Sequence, residues 1–271
     1  MKCDLCFHQC ELTEGKTGFC KARGMRDGKI VSLNYGCMTS LALDPIEKKP
    51  LAQFHSGSSI LSIGSFGCNF HCDFCQNAII SQENHVEYEK LTPEEVVNLA
   101  LRLADEQGNI GIAYTYNEPL IGYEFIYDCA KLAHAHGLKN VLVTNGAITS
   151  KYLMDLLPYI DAMNIDLKAF TSGFYEKIGG NLELVKENII LCSAYTHVEL
   201  TTLIIPGRND GEEEMQQMTK WIASISKDIP LHISRYFPRY HCHIPPTDVD
   251  QIEHLCHIAR MNLNYVYKGN C

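Results

Sequence analysis

No stretch of this 271-residue chain approaches the roughly 18 consecutive apolar residues that a membrane-spanning helix needs. The opening residues Met1-Lys2-Cys3-Asp4-Leu5-Cys6 also lack the apolar segment of a secretory signal. Both absences predict a cytoplasmic protein that uses no membrane. Basic charge is scarce: 23 Lys and Arg face 32 Asp and Glu, for a net charge of −9. Without a long basic run, non-specific nucleic-acid binding is not expected, although a specific site would need no such run. No Gly-x-Gly-x-x-Gly follows the first strand-like run, which counts against dinucleotide binding. No internal repeat or low-complexity tract occurs. The rest of the composition, 46% hydrophobic and 20% charged, suits one large core.

Cysteine is abundant instead. The chain has 13, an odd count with metal-like spacing, which argues against a disulfide framework and for a reducing compartment. Cys68, Cys72 and Cys75 form a C-x3-C-x2-C triplet just after the apolar run Ile60-Leu61-Ser62-Ile63-Gly64. An iron–sulfur cube takes four thiolate ligands, so three close cysteines leave one iron open. A catalytic zinc keeps one position free in the same way. An open iron beside a bound small molecule is a reaction centre. The blander alternatives are a zinc knuckle or three unrelated core thiols. Zinc usually takes two separated pairs, and only one C-x2-C lies in this segment, so the cluster is preferred.

A second set, Cys3-x2-Cys6-x3-Cys10-x9-Cys20, is complete for zinc or for a second iron–sulfur cluster, with His8 inside it as a substitute ligand. The segment carries so little apolar sequence that a metal would supply much of its order. Cys37, Cys129, Cys192 and Cys256 have no partner spacing and read as small core residues.

The chain divides into a Cys- and Gly-rich N-terminal extension, residues 1–57, and an alternating α/β region, residues 58–271. The expected strands are Ile60–Ser65, Ile110–Tyr116, Asn140–Thr144, Ala162–Leu167, Val198–Ile204 and Leu231–Tyr236. Amphipathic stretches separate them. Thr92-Pro93-Glu94-Glu95 opens one as cap, first-turn Pro and early acids, and Gly108 and Gly137 stand where helices should stop. Such a series implies a parallel sheet with outer helices, and a doubly wound sheet or a β/α barrel both satisfy it. In a barrel, chemistry collects at the C-terminal strand ends. Polar residues stand at each of them: the cysteine loop, Thr115 to Glu118, Thr144 and Asn145, Asp166 and Lys168, Thr201 and Thr202, and His232 with Ser234.

The triplet with Phe74 before its last cysteine resembles the radical S-adenosylmethionine (SAM) superfamily. The strings Leu43-Asp44-Pro45-Ile46-Glu47-Lys48-Lys49-Pro50-Leu51, Tyr114-Thr115-Tyr116-Asn117-Glu118-Pro119, Val143-Thr144-Asn145-Gly146, Asn164-Ile165-Asp166-Leu167-Lys168 and Tyr265-Val266-Tyr267-Lys268-Gly269-Asn270 narrow the likeness. They are most similar to the AmmeMemoRadiSam-system radical enzymes and, more distantly, to pyruvate formate-lyase activating enzymes. The resemblance implies a partial (β/α)6 TIM-like barrel with a [4Fe-4S] cluster at Cys68, Cys72 and Cys75. It implies reductive cleavage of SAM to a 5′-deoxyadenosyl radical that abstracts hydrogen from a substrate. It further implies cofactor contacts from Phe74, Asn117, Glu118, Thr144, Asn145, Asp166, Lys168 and His232, and a flavodoxin- or ferredoxin-type electron donor. Val143 replaces an Asp that helps bind a monovalent cation in some activating enzymes, so the sequence leaves open whether such a site exists. Three functions stay open: activation of a partner protein by a glycyl radical, modification of a peptide, RNA base or small metabolite in a Memo-associated pathway, or non-catalytic electron transfer by an iron–sulfur or zinc protein.

Overall fold

A computed structural model describes residues 1–83 and 86–271. Its N-terminal part carries the hairpin β1 (Arg23–Arg26) and β2 (Lys29–Ser32), then β3 (Cys37–Met38) and β4 (Ser40–Pro45). The near-continuous apolar runs then give β5 (Ser59–Gly64), β7 (Asn109–Tyr114), β8 (Lys139–Thr144), β9 (Ala162–Asp166), β10 (His197–Ile204) and β11 (Leu231–Arg235). These strands are parallel neighbours in one sheet, as expected for residues buried on both faces. β6 (Glu89–Lys90) pairs with β3, and β12 (Val266–Gly269) extends the sheet beyond β11.

The eight-stranded sheet runs β12-β11-β10-β9-β8-β7-β5-β4, and its edge strands β12 and β4 do not pair with each other. The fold is a partial (β/α)6 barrel with an extra strand at each side of the seam. The sheet also takes in a strand that precedes the expected boundary at residue 57. β4 runs antiparallel to β5 from Ser40↔Gly64 to Pro45↔Ser59, and Ile46 and Leu51 are buried with Ile60, Ala113, Val141 and Ala162. β4 is thereby an edge strand of the eight-stranded sheet.

Short helix α1 (Ala78–Gln82) follows the cysteine triplet. Helices α2 (Pro93–Gln107), α3 (Tyr123–Ala135) and α4 (Ser150–Leu156) connect β5 to β9 in turn. α5 (Ser172–Lys177) and α6 (Leu182–Ser193) follow β9, and α7 (Glu212–Ile225) and α8 (Val249–Arg260) complete the outer layer. α2 shows why the pattern was readable. Thr92 and Glu95 close a capping box, Pro93 takes the first turn, and Gly108 ends the helix at φ 68°. Its Val96, Val97 and Ala100 face the core.

The loop after β4 closes the interior from the side where the strands begin. Asn164 Nδ2 donates to the Pro50 carbonyl at 2.8 Å. Glu199, fully buried on β10, accepts the Ala52 and Gln53 N–H groups at 2.9 and 2.8 Å. Chemistry is thereby confined to the opposite end, where the strands finish.

Candidate active site

At that end lies a cavity of about 460 Å³. The loop from β5 supplies Cys68, Cys72, Phe74 and Cys75 to its wall. Gly67 starts the loop at φ +90°, and a Cβ there would stand 2.4 Å from the Cys20 carbonyl, so only glycine fits. The loop is held on several sides. Arg208 makes a bidentate pair with Asp73 at 2.8 Å for each bond, and the His71 N–H donates to the Ile178 carbonyl. Phe74 is buried against Phe174, with ring centroids 6.0 Å apart.

β7 and β8 deliver the next group. Asn117 reaches the cavity wall, but its side chain bridges two points of the cysteine loop: Oδ1 accepts from Ser65 N at 3.0 Å and Nδ2 donates to Gly67 O at 3.0 Å. Its amide thus positions the loop. Glu118 is buried and accepts from Leu120 N–H, the Thr144 hydroxyl and Asn145 N–H at 3.0, 2.7 and 2.7 Å. A carboxylate has about four lone-pair sites, so one remains for a ligand. Burial pushes the Glu118 carboxyl up to about 7 despite those three donors. Thr144 and Asn145 line the cavity as the support behind Glu118. Asn145 Nδ2 also donates to Asn69 Oδ1 at 2.8 Å and approaches Cys68 Sγ at 3.7 Å.

Across the cavity, β9 ends in Asp166, and Lys168 just beyond it sets its Nζ 2.7 Å from Asp166 Oδ2. Burial disfavours the Lys168 ammonium, but Asp166 and Cys72 outweigh it and hold its pKa above the usual lysine value. Val143 forms part of the wall, where a carboxylate would serve a cation.

His232 departs from expectation. It does not line the cavity; its Nε2 pairs with Glu199 at 2.6 Å and its ring stacks on Tyr267. Ser234 reaches the cavity instead. Side chains alternate along a strand, so both residues point inward and His232 sits one repeat deeper.

The sequence reading also missed a polar group on the wall. Tyr116 donates its hydroxyl to Asp44 Oδ2 at 2.8 Å, and the buried Lys49 binds the same oxygen at 2.9 Å. The Lys49 ammonium also lies 4.7 Å from the Tyr116 ring centroid. Tyr116 adopts φ +73°, a conformation a bulky residue seldom takes. A Cβ on Gly64 would meet the Tyr116 ring at 2.8 Å, so Gly64 makes room for it. Tyr116 and Lys49 both lay in quoted strings, but their partnership crosses the sheet and no spacing signals it.

The donor set fits a cationic cluster. Burial, opposed by the nearby Lys168 ammonium and reinforced by Cys75, Asp166 and Asp73, pushes the Cys72 thiol up to about 12. Burial, Glu118 and the other two thiols likewise raise Cys68. Three thiolates here need positive charge to be stable, and iron supplies it. The Phe70 N–H already donates to Cys68 Sγ at 3.3 Å. The cavity is of a size for a ligand beside such a cluster.

Three thiols, a buried carboxylate and a lysine–aspartate pair surround one cavity at the strand ends. The superfamily follows from comparison. The Radical SAM superfamily model matches residues 62–222, and the chain belongs to that superfamily. Its cofactors are a [4Fe-4S] cluster and SAM. An uncharacterized protein of Methanocaldococcus jannaschii is 39% identical, the match covering 100% of this chain and 81% of that one. A pyruvate formate-lyase-activating enzyme of Clostridium pasteurianum is 24% identical, over 59% of this chain and 67% of that one. A radical SAM methyltransferase of Sphaerobacter thermophilus has the same fold at 16% identity, with a TM-score of 0.63 over 79% of this chain and 67% of that one.

Proposed function

We propose that this chain cleaves SAM reductively and uses the product to abstract hydrogen from a substrate. The observation that carries this is the single cavity joining Cys68, Cys72 and Cys75 to Glu118 on one wall and Lys168 on another. When bound, the cluster and SAM supply one-electron scission of the S–C5′ bond, giving methionine and a 5′-deoxyadenosyl radical. The chain's own residues bind and orient. Cys68, Cys72 and Cys75 hold the cluster. Glu118 takes the methionine ammonium with its remaining lone pair, a charge-assisted bond. Lys168, steadied by Asp166, takes the carboxylate. Thr144, Asn145 and Asn117 fix Glu118 and the cysteine loop. The backbone around Phe74 would meet the adenine edge. The electron comes from a flavodoxin- or ferredoxin-type donor.

The finer reading is an activating enzyme that makes a glycyl radical on a partner protein. Likeness to a pyruvate formate-lyase-activating enzyme supports it, as does the unpaired seam between β12 and β4. Reconstituted protein with dithionite should yield 5′-deoxyadenosine, and Cys72→Ala should yield none. Equal product from the variant would end the assignment.

A further inference from the structure

We infer that Cys3, Cys6, Cys10 and Cys20 hold a second [4Fe-4S] cluster, fully ligated by the protein, and not a zinc ion. The four cysteines line one small cavity of about 10 Å³, distinct from the catalytic one. The four side chains border this void and do not close on one point, as thiolates at the ~2.3 Å of a zinc–thiolate bond would. A zinc-tight tetrahedron of thiolates would close the void. A cube would set one iron between its centre and each thiolate, and so keep the thiolates apart.

The catalytic triplet supplies an internal comparison. Among the described residues, no three His, Cys, Asp or Glu side chains converge as on a single metal ion. That holds for the N-terminal four and for Cys68, Cys72 and Cys75 alike, although this superfamily's cofactor is a cube. Both sets surround a void. Both also receive a backbone donor of the kind that tunes a cluster: Phe19 N–H to Cys10 Sγ at 3.3 Å and Phe70 N–H to Cys68 Sγ at 3.3 Å. His8 is not needed as a ligand. Its Nε2 bonds the Asn69 carbonyl at 2.9 Å, and its ring stacks on Phe19 with centroids 4.0 Å apart.

The two sites are neighbours. Gly67, next to Cys68, packs against the Cys20 carbonyl. Phe19 stacks in turn on His71, between Cys68 and Cys72, with ring centroids 3.9 Å apart. With all four irons ligated and no space for a substrate, the second cube is limited to taking up and passing on single electrons.

The test is metal and sulfide analysis after anaerobic reconstitution with iron, sulfide and zinc all present. Wild-type protein should carry about eight irons and eight sulfides per chain and no zinc. The triple variant Cys68→Ala, Cys72→Ala, Cys75→Ala should keep about four irons and four sulfides, and dithionite should give it the electron paramagnetic resonance signal of a reduced cube. One zinc in place of those four irons, or no metal in the triple variant, overturns the inference. The wild-type count tests it without relying on a variant's folding: about four irons with one zinc refutes it. About four irons in both proteins would instead sink the catalytic assignment and leave the second cluster standing.

Discussion

Replacing Glu199 with Gln should loosen the loop that closes the barrel. Burial alone would raise the Glu199 carboxyl, but His197, His232 and the Ala52 and Gln53 N–H groups together pull it down to about 2. Against an ordinary value near 4.5, at about 1.4 kcal/mol per tenfold, the ionised group contributes about 3 kcal/mol at neutral pH. The side chain is fully buried, so solvent screens little of this. Gln keeps the shape but turns an amide NH2 toward one backbone N–H, leaving a buried donor unpaired at about 1–3 kcal/mol. The two losses describe the same contacts and do not add. The expected cost is about 3–4 kcal/mol, a large share of a domain's net stability. Urea unfolding of matched anaerobic preparations should show a midpoint lower by about 1 M, for a slope of about 3 kcal/mol/M. The sign with pH is fixed by the lowered value. The contribution is fully present above about 4.5 and is lost as pH falls toward 2, so the gap between wild type and variant should narrow in acid. A variant within about 0.5 kcal/mol of wild type at pH 7, or a gap unchanged between pH 7 and pH 3, refutes the reasoning.

Glu118→Ala should weaken SAM binding about tenfold or more, as loss of a charge-assisted bond implies, while iron content stays at the wild-type level; equal affinity by equilibrium dialysis moves the ammonium contact elsewhere. Gly111→Ala should destabilise by at least about 3 kcal/mol, since the new Cβ would lie 1.9 Å from the Lys139 carbonyl oxygen in the adjacent strand; an unchanged urea midpoint would show that β7 and β8 pair differently. Tyr116→Phe should cost about 1 kcal/mol in thermal unfolding by removing one donor from Asp44, and an unshifted transition would mean that Lys48 and Lys49 alone satisfy that carboxylate.

The inner strands were legible because parallel strands covered by helices need apolar side chains on both faces, and β5, β8 and β9 carry such runs in sequence. The edges were not. β4 reads Ser-Leu-Ala-Leu-Asp-Pro and is only half buried, and β12 is Val-Tyr-Lys-Gly with no fully buried residue. Neither has a hydrophobic run to announce it. At the site, the cysteines, Glu118, Asp166 and Lys168 were readable because each stands at or just beyond the end of a recognisable strand. His232 was misplaced because a strand's position in sequence does not give depth along the barrel, and the two-residue step from Ser234 lowers it out of the cavity. Asp44, Lys49 and Tyr116 were missed as a group because their contact depends on β4 pairing with β5, the very pairing the sequence did not announce.

The fit of Tyr116 against Gly64 also ties two distant positions together in descent. Any side chain at 64 strikes the tyrosine ring, and a smaller residue at 116 leaves a gap over the glycine. A larger residue at 64 should therefore be better tolerated beside a smaller one at 116. In relatives of this chain the two residues should be inherited as a pair, with a larger group at one accompanying a smaller group at the other.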